Sequence, residues 1–150
     1  MKVVVVGGGP TGVEMAGSLV ELFHHVLAHD FPELDIKRTR VMLLEATDHL
    51  LPPFHPRSRK HALDILRRRG VEVVLGEAMD HVTPDEVRLK DGRVIPTRTL
   101  VWAAGVRANP LADALGLEQA RGGRILVGED LSVPGHPEVF SVGDLAGAGD

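Results

Sequence analysis

The segment from Val3 to Ala16, VVVVGGGPTGVEMA, constrains the fold of this chain more than any other. Four consecutive valines favour a strand that is buried on both faces, as strands of parallel sheets are. Gly7, Gly9 and Gly12 then follow with the spacing G-x-G-x-x-G, which is typical of a dinucleotide-binding turn. An amphipathic pattern comes next, so the sequence predicts a strand, a glycine turn and a helix in that order.

Each glycine of this motif has a physical reason to be glycine. Gly7 permits a tight turn, Gly9 lets the backbone approach a diphosphate, and Gly12 lets the helix pack close to the sheet. The first N–H groups of a helix lack internal acceptors, and the helix dipole favours an anion there. The alternative is a strand–turn–helix unit without a ligand. The candidate cofactor-binding residues of the turn are Gly7, Gly8, Gly9, Pro10, Thr11 and Gly12.

The rest of the N-terminal part alternates between strand and helix patterns, followed by a run of short strands. We predict an α/β, Rossmann-like domain with a central parallel sheet and an antiparallel β-meander. The predicted helices run from about Thr11 to Ala28 and from Pro56 to the arginines before Gly70. The predicted strands are Arg40–Glu45, Val71–Leu75, Ala78–Val82, Glu86–Leu89, Arg93–Ile95 and a buried Thr99–Trp102.

Glu45 ends the second predicted strand, where a dinucleotide fold places a carboxylate that accepts hydrogen bonds from the adenosine ribose. It lies 33 positions after Gly12, further than the usual distance of about 20 residues. A long first helix and the connection at 32–39 account for the excess. A carboxylate here repels a 2′-phosphate and therefore favours NAD over NADP. The alternative for Glu45 is an exposed residue at the end of a strand.

Ala104 and Gly105 follow the strand at Thr99–Trp102. Small residues at the carboxyl edge of a parallel sheet suit a cofactor that crosses that edge. A simple tight turn is the alternative at this position. Beyond Val106 the pattern changes to a short helix at Leu111–Leu115 and short strands at Arg124–Val127 and Val139–Val142.

The composition and the residue patterns exclude several classes of function. A net charge of −4, with one tryptophan and no tyrosine, gives no support for nucleic-acid binding. The absence of cysteine excludes disulfides and thiolate metal sites within this chain. His25 and His29 could share a helix face, but no third ligand is apparent and no metal site is expected. The first apolar run is too short for a signal peptide, so we expect a cytoplasmic chain.

Three segments together resemble the type II NADH:quinone dehydrogenases, single-chain flavoproteins with two dinucleotide-binding domains. Gly7–Gly17 is similar to their NADH-binding motif, and Val101–Arg107 is similar to a second signature. Asp130–Val133 together with Val139–Ala146 resembles a third. The resemblance covers nearly the whole chain. The glycine motif is shared with many flavoproteins, and its combination with WAAGVR is more selective.

The resemblance implies an NADH dehydrogenase of the respiratory chain, in which a hydride passes from NADH to FAD and a membrane quinone is then reduced. Glu14 matches a family glutamate near the nicotinamide–flavin stack and is the candidate catalytic residue. Its alternative role is a favourable interaction with the helix dipole, which contributes about 0.3–1 kcal/mol to stability. Gly143 and Asp144 match the place where an aspartate of the wider class contacts FAD.

The chain departs from the family because it holds only one G-x-G-x-x-G motif. We therefore interpret residues 1–106 as an NADH-binding domain and 107–150 as an incomplete segment that returns to the FAD domain. We expect the isolated chain to bind NADH without turning over quinone. The parent protein would be peripheral on the cytoplasmic membrane face through a missing C-terminal segment. Without an FAD domain to pack against, the apolar side chains of this tail would be exposed, namely Val139, Phe140 and Val142. We therefore expect the tail to be mobile or to form a homodimer.

Two other hypotheses remain open at this stage. The chain could belong to a ferredoxin reductase, an NADH oxidase or a sulfide:quinone reductase, which differ mainly in parts that lie outside it. It could also be a non-enzymatic module that senses NADH. The Gly143-Asp144 pair argues against a sensor, because a sensor has no need of a flavin contact.

Overall fold

The computed structural model describes residues 1–33 and 35–148. Its internal contacts divide the chain into two compact units, one from Met1 to Ala104 and one that begins at Gly105. The first unit therefore ends two residues before the boundary inferred from the sequence. The assignment of the second unit to a FAD domain stays a prediction.

The first unit is built on a four-stranded parallel sheet, which confirms the predicted fold class. Its strands are β1 (Lys2–Val6), β2 (Arg40–Glu45), β3 (Val71–Leu75) and β7 (Thr99–Trp102). The strand order is β3-β2-β1-β7, with β1 paired in parallel to both β2 and β7. The carboxyl ends of these three strands therefore lie at one edge, directly before the glycine turn, Ala46 and Ala103.

Two helices cover one face of this sheet. They are α1 (Pro10–Glu21) and α3 (Pro56–Arg68). Ala16 and Val20 of α1 and Leu66 of α3 pack with Val3, Val5 and the facing residues of β2 in one apolar cluster. Gly17 brings the two helices close, since a Cβ there would lie 3.7 Å from a methyl carbon of Leu66.

An antiparallel meander covers the other face. Its strands are β4 (Met79–Val82), β5 (Glu86–Leu89) and β6 (Val94–Pro96), in the order β4-β5-β6. Val87, Leu89 and Ile95 pack there with Val4 and Val6 of β1. Alternate valines of β1 thus enter two different cores, which explains why four apolar residues follow one another.

The second unit has a smaller core formed by Ala112, Ile125 and Val133. Its elements are α4 (Leu111–Leu115), β8 (Gln119–Ala120), β9 (Arg124–Leu126), β10 (Ser132–Val133), β11 (His136–Phe140), a 3₁₀ turn (Gly143–Leu145) and β12 (Ala146–Gly147). The sheet orders are β12-β9-β8 and β10-β11. Gly116 ends α4 in the left-handed conformation, with φ of 64°.

Several sequence expectations need correction. The first helix continues beyond α1 through a π-helical segment (Leu22–Leu27) and a short helix, α2 (Ala28–Asp30), so it ends after Ala28. A 3₁₀ turn (Ile36–Arg38) then leads to β2. The strand expected at Val139–Val142 is wrong at both ends, because β11 pairs with β10 from His136 to Phe140. Strand β7 is only partly buried, and Trp102 is 60% exposed, because β7 is an edge strand with one neighbour.

Candidate functional site

The turn after β1 packs tightly against the ends of both neighbouring strands. The amide of Gly7 donates a hydrogen bond to the carbonyl of Leu44 at 2.8 Å. The amide of Ala103 donates a hydrogen bond to the carbonyl of Val6, also at 2.8 Å. Gly7 has a φ of 112°, and a Cβ on it would lie 2.4 Å from the carbonyl oxygen of Ala103. Side chains rarely adopt that backbone conformation, so the fold itself requires glycine at this position.

Gly12 is also required by the fold, whereas Gly9 is not. A Cβ on Gly12 would lie 1.8 Å from the carbonyl oxygen of Gly7, so α1 begins directly against the turn. Gly9 has ordinary torsions, φ −71° and ψ −178°, and a Cβ there would meet no atom within 4 Å. The space above Gly9 is open, and nothing in the described protein explains the missing side chain.

The N-terminus of α1 offers free hydrogen-bond donors. Its first internal bond runs from the amide of Val13 to the carbonyl of Gly9 at 3.0 Å, and no side chain caps the helix. Within residues 1–33 and 35–148, no acceptor contacts the amides of Gly9, Thr11 or Gly12. Pro10 has no N–H to offer. Three unpaired amides at the positive end of a helix dipole are typical of a candidate anion-binding site.

The half-buried carboxylate of Glu45 faces Gly8 of the same turn. The amide of Gly8 donates to Oε2 of Glu45 at 2.5 Å. Thr47 donates to Oε1 twice, from its amide at 2.8 Å and from its hydroxyl at 2.9 Å. The structure therefore brings Glu45 to the glycine turn, as a dinucleotide site requires.

Gly8 is enclosed by the segment 45–51. The amide of Leu51 donates to the carbonyl of Gly8 at 2.8 Å. A Cβ on Gly8 would lie 2.7 Å from a methyl carbon of Leu50 and 2.8 Å from Oε2 of Glu45. The sequence placed Gly8 in the motif without a separate role and gave no reason to assign Thr47 or Leu50 to the site. A threonine two positions after an acidic residue is too common to attract notice.

Ala104 lies beside the turn. Its Cα would be 2.8 Å from a Cβ on Gly7, so the backbone of Ala104 is one of the neighbours that require glycine at position 7. Gly105, the first residue of the second unit, has a φ of 102°. The structure thus brings together the glycine turn, Glu45 and Ala104 at the carboxyl edge of the sheet.

Glu14 lies on the exposed side of α1, one turn further along the helix. It lines a groove of about 760 Å³ between α1 and α3, together with Val13, Gly17 and Leu66. The groove is mainly apolar, whereas the glycine turn presents free amides. The turn is therefore the better candidate site for a diphosphate.

Gly143 and Asp144 belong to the second unit. They open the 3₁₀ turn, where Gly143 has a φ of 65° and Asp144 is exposed. In the neighbouring loop, Oδ1 of Asp130 accepts hydrogen bonds from the amide and hydroxyl of Ser132, at 3.1 and 2.7 Å. These bonds stabilise the ionised form and lower the pKa of Asp130.

No three histidine, aspartate or glutamate side chains come together as a metal site in the described part of the chain. None of the described helices is both long enough and apolar enough to cross a bilayer.

Comparison with known proteins gives three findings. A sequence profile of the family described as pyridine nucleotide-disulphide oxidoreductase matches residues 1–149. A type II NADH:quinone oxidoreductase of Mycobacterium tuberculosis is 42% identical over 150 residues, covering 95% of this chain and 32% of the relative. The chain thus spans about a third of the length of the curated relatives it matches.

Solved structures share the fold. NDH2 from Plasmodium falciparum, in complex with NADH, superposes with a TM-score of 0.85 at 21% identity, covering 97% of this chain and 31% of that one. A ferredoxin reductase from Rhodopseudomonas palustris superposes with a TM-score of 0.76 at 24% identity, covering 97% of this chain and 33% of that one. At these identities the superpositions establish the fold alone.

Proposed function

We propose, since this chain belongs to the pyridine nucleotide-disulphide oxidoreductase family, that it is the NADH-binding portion of a flavin-dependent NADH:quinone oxidoreductase. The overall reaction would convert NADH, a proton and a quinone into NAD⁺ and a quinol. The identity of 42% to a type II NADH:quinone oxidoreductase supports this reaction class for the parent protein.

The observation that carries the proposal is the open space above Gly9 beside three unpaired amides. The amides of Gly9, Thr11 and Gly12 can donate to phosphate oxygens, and no Cβ blocks their approach. The turn therefore fits the diphosphate of NADH.

Glu45 gives the proposed site its preference for NADH. Its carboxylate already accepts from Gly8 and Thr47 and retains acceptor capacity on Oε2 for a ribose hydroxyl. A phosphate on that ribose would meet a negative charge instead. We therefore assign NAD(H) rather than NADP(H).

The flavin would be held mostly by parts of the parent protein outside this chain. FAD, when bound, would supply the group that accepts hydride from NADH. We assign Glu14 to the nicotinamide end of the site and Ala104 and Gly105 to the edge that the cofactors cross. Gly143 and Asp144 would contribute to flavin binding. The exposed Asp144 is consistent with this role, since its carboxylate is available to a ligand.

The isolated chain should bind NADH and show no quinone reductase activity, with or without added FAD. Association of the parent protein with the cytoplasmic membrane face would come from a segment outside this chain. The exposed apolar residues of β11 would be covered in the parent or by a second copy.

Replacing Gly9 with alanine tests the proposal. The free chain should fold as before, because the backbone torsions are ordinary and the new methyl group meets no protein atom. Affinity for NADH should fall at least about tenfold, since the methyl group would occupy the space that a diphosphate needs. NADH fluorescence titration measures the affinity, and circular dichroism checks the fold.

Gly17→Ala, in the helix that begins directly after Gly9, provides a matched control. A Cβ at Gly17 makes an ordinary 3.7 Å contact with Leu66, so this variant should bind NADH like the wild type. Equal NADH affinity for Gly9→Ala and the wild type would refute a diphosphate at this turn. Failure of the folded wild-type chain to bind millimolar NADH would refute the whole proposal.

A ferredoxin reductase is the second candidate, because its fold is shared over 97% of this chain. The two reactions differ in the electron acceptor, which is a quinone in one and a ferredoxin in the other. Assaying the parent protein with a short-chain quinone and with a reducible ferredoxin would decide between them. We expect reduction of the quinone only.

A further inference from the structure

We propose that Thr47 is a positioning residue that holds the Glu45 carboxylate against the glycine turn and thereby sets the preference for NADH over NADPH. The inference rests on the proposed NADH site and adds to it a residue outside the G-x-G-x-x-G motif. Thr47 itself would not contact the reacting atoms.

Three donors fix the Glu45 carboxylate from two sides. The amide of Gly8 holds Oε2 on the side of the turn, and the amide and hydroxyl of Thr47 hold Oε1 on the side of the loop. A carboxylate accepts about four hydrogen bonds, so one position remains on Oε2. The free position is therefore on the oxygen nearest Gly8, where a ribose hydroxyl of a dinucleotide on this turn could donate.

The Thr47 hydroxyl has two acceptors within reach. Its oxygen lies 2.9 Å from Oε1 of Glu45 and 2.9 Å from the carbonyl oxygen of His49. A hydroxyl has one proton, and the ionised carboxylate forms the stronger bond. The Thr47 side chain therefore hydrogen-bonds the Glu45 carboxylate from segment 45–51, which encloses Gly8.

Loss of this hydroxyl would loosen the carboxylate without removing its charge. Thr47 is exposed, so a freed carboxylate can turn towards water, where it is well solvated. The ribose contact would then weaken, and a 2′-phosphate would face less repulsion. The two effects change the affinities for NADH and NADPH in opposite directions, which a general loss of stability does not do.

Thr47→Val removes the hydroxyl and keeps the shape and the backbone amide. We expect NADH affinity to fall about three- to tenfold, which is within the range for one typical hydrogen bond, while NADPH affinity rises. Thr47→Ser keeps the hydroxyl and should restore the wild-type ratio. Both nucleotides are measured by nicotinamide fluorescence with the 150-residue chain, and Thr47→Ala replaces the valine variant if it does not fold.

A double-mutant cycle shows whether Thr47 acts through Glu45. In a Glu45→Gln background, Thr47→Val should leave the NADH:NADPH ratio unchanged. Thr99→Val, at the start of β7 and away from its carboxyl end, is the control for the same chemical change. An unaltered ratio in Thr47→Val, or an equal change in the Glu45→Gln background, would overturn the role of Thr47 alone. No binding of NADH by the wild type would overturn the proposed function as well.

Discussion

Gly9 differs from the other glycines of the turn in what its missing side chain leaves free. Gly7, Gly8 and Gly12 would each place a Cβ within 3 Å of a protein atom, so the fold accounts for them. Only at Gly9 is the space open. In this turn the fold explains three of the glycines, Gly7, Gly8 and Gly12, whereas the proposed ligand explains Gly9.

Glu45 should determine which nicotinamide nucleotide binds. In Glu45→Ala we expect NADH affinity to fall and NADPH affinity to rise, so that the preference for NADH drops about tenfold or more, because the fixed negative charge is gone. Parallel fluorescence titrations with the two nucleotides measure the ratio. Glu72→Ala removes an exposed carboxylate that pairs with Lys2 instead, and it should leave the ratio unchanged. An unchanged preference in Glu45→Ala would remove Glu45 from the site.

The sequence could predict the position of Glu45 but not the interactions that orient it. The end of a buried strand is readable from Val41 to Leu44, so the carboxylate follows at a known edge. Its contact with Gly8 and Thr47 depends on how the 45–51 loop folds back over the turn. That path is set by tertiary packing, including the burial of Leu50, and has no local signal.

Most predicted elements lie within one or two residues of their observed bounds, as strands β2, β3, β5 and β7 and helices α3 and α4 do. Their apolar periods and their proline and glycine ends are strong local signals. The π-helical segment Leu22–Leu27 was missed because the apolar spacing of Val20, Phe23 and Leu27 also suits an α-helix. The exposure of Trp102 was missed because strand order decides which strand is an edge.

Leu66 should be a principal contributor to the stability of the first unit. It is 3% exposed and joins α3 to the cluster of α1, β1 and β2. Leu66→Ala should lower the free energy of unfolding by about 2–5 kcal/mol, since it leaves a cavity in a close-packed core. Chemical denaturation monitored by circular dichroism measures the change.

Leu22→Ala is the matched control, because Leu22 is 41% exposed in the same unit. It should cost less than about 1 kcal/mol, as is usual for surface substitutions. Equal losses of stability for Leu66→Ala and Leu22→Ala would contradict the packing of α3 on the sheet.

The two units differ in the size of their apolar cores. The first unit has a sheet covered on both faces and contains the glycine turn, Glu45 and Ala104. The second has a core of three buried apolar residues. The relatives are about three times as long as this chain, so the proposed flavin and quinone functions belong to the parent protein.

The exposed apolar residues of the second unit predict self-association of this chain. Phe140 and Val142 are 61% and 64% exposed, and β11 pairs within its sheet only with β10 among the described strands. An apolar strand edge without a partner favours pairing with another chain. We expect light scattering to show a dimer whose fraction rises with protein concentration.

The double variant Phe140→Ser, Val142→Ser should be monomeric with an unchanged NADH affinity, because the glycine turn lies in the other unit. Val82→Ser, Val94→Ser changes exposed residues of the first unit and should leave the dimer intact. A wild-type chain that stays monomeric at every concentration, or a dimer that survives the Phe140, Val142 variant, would show that β11 is not the contact surface.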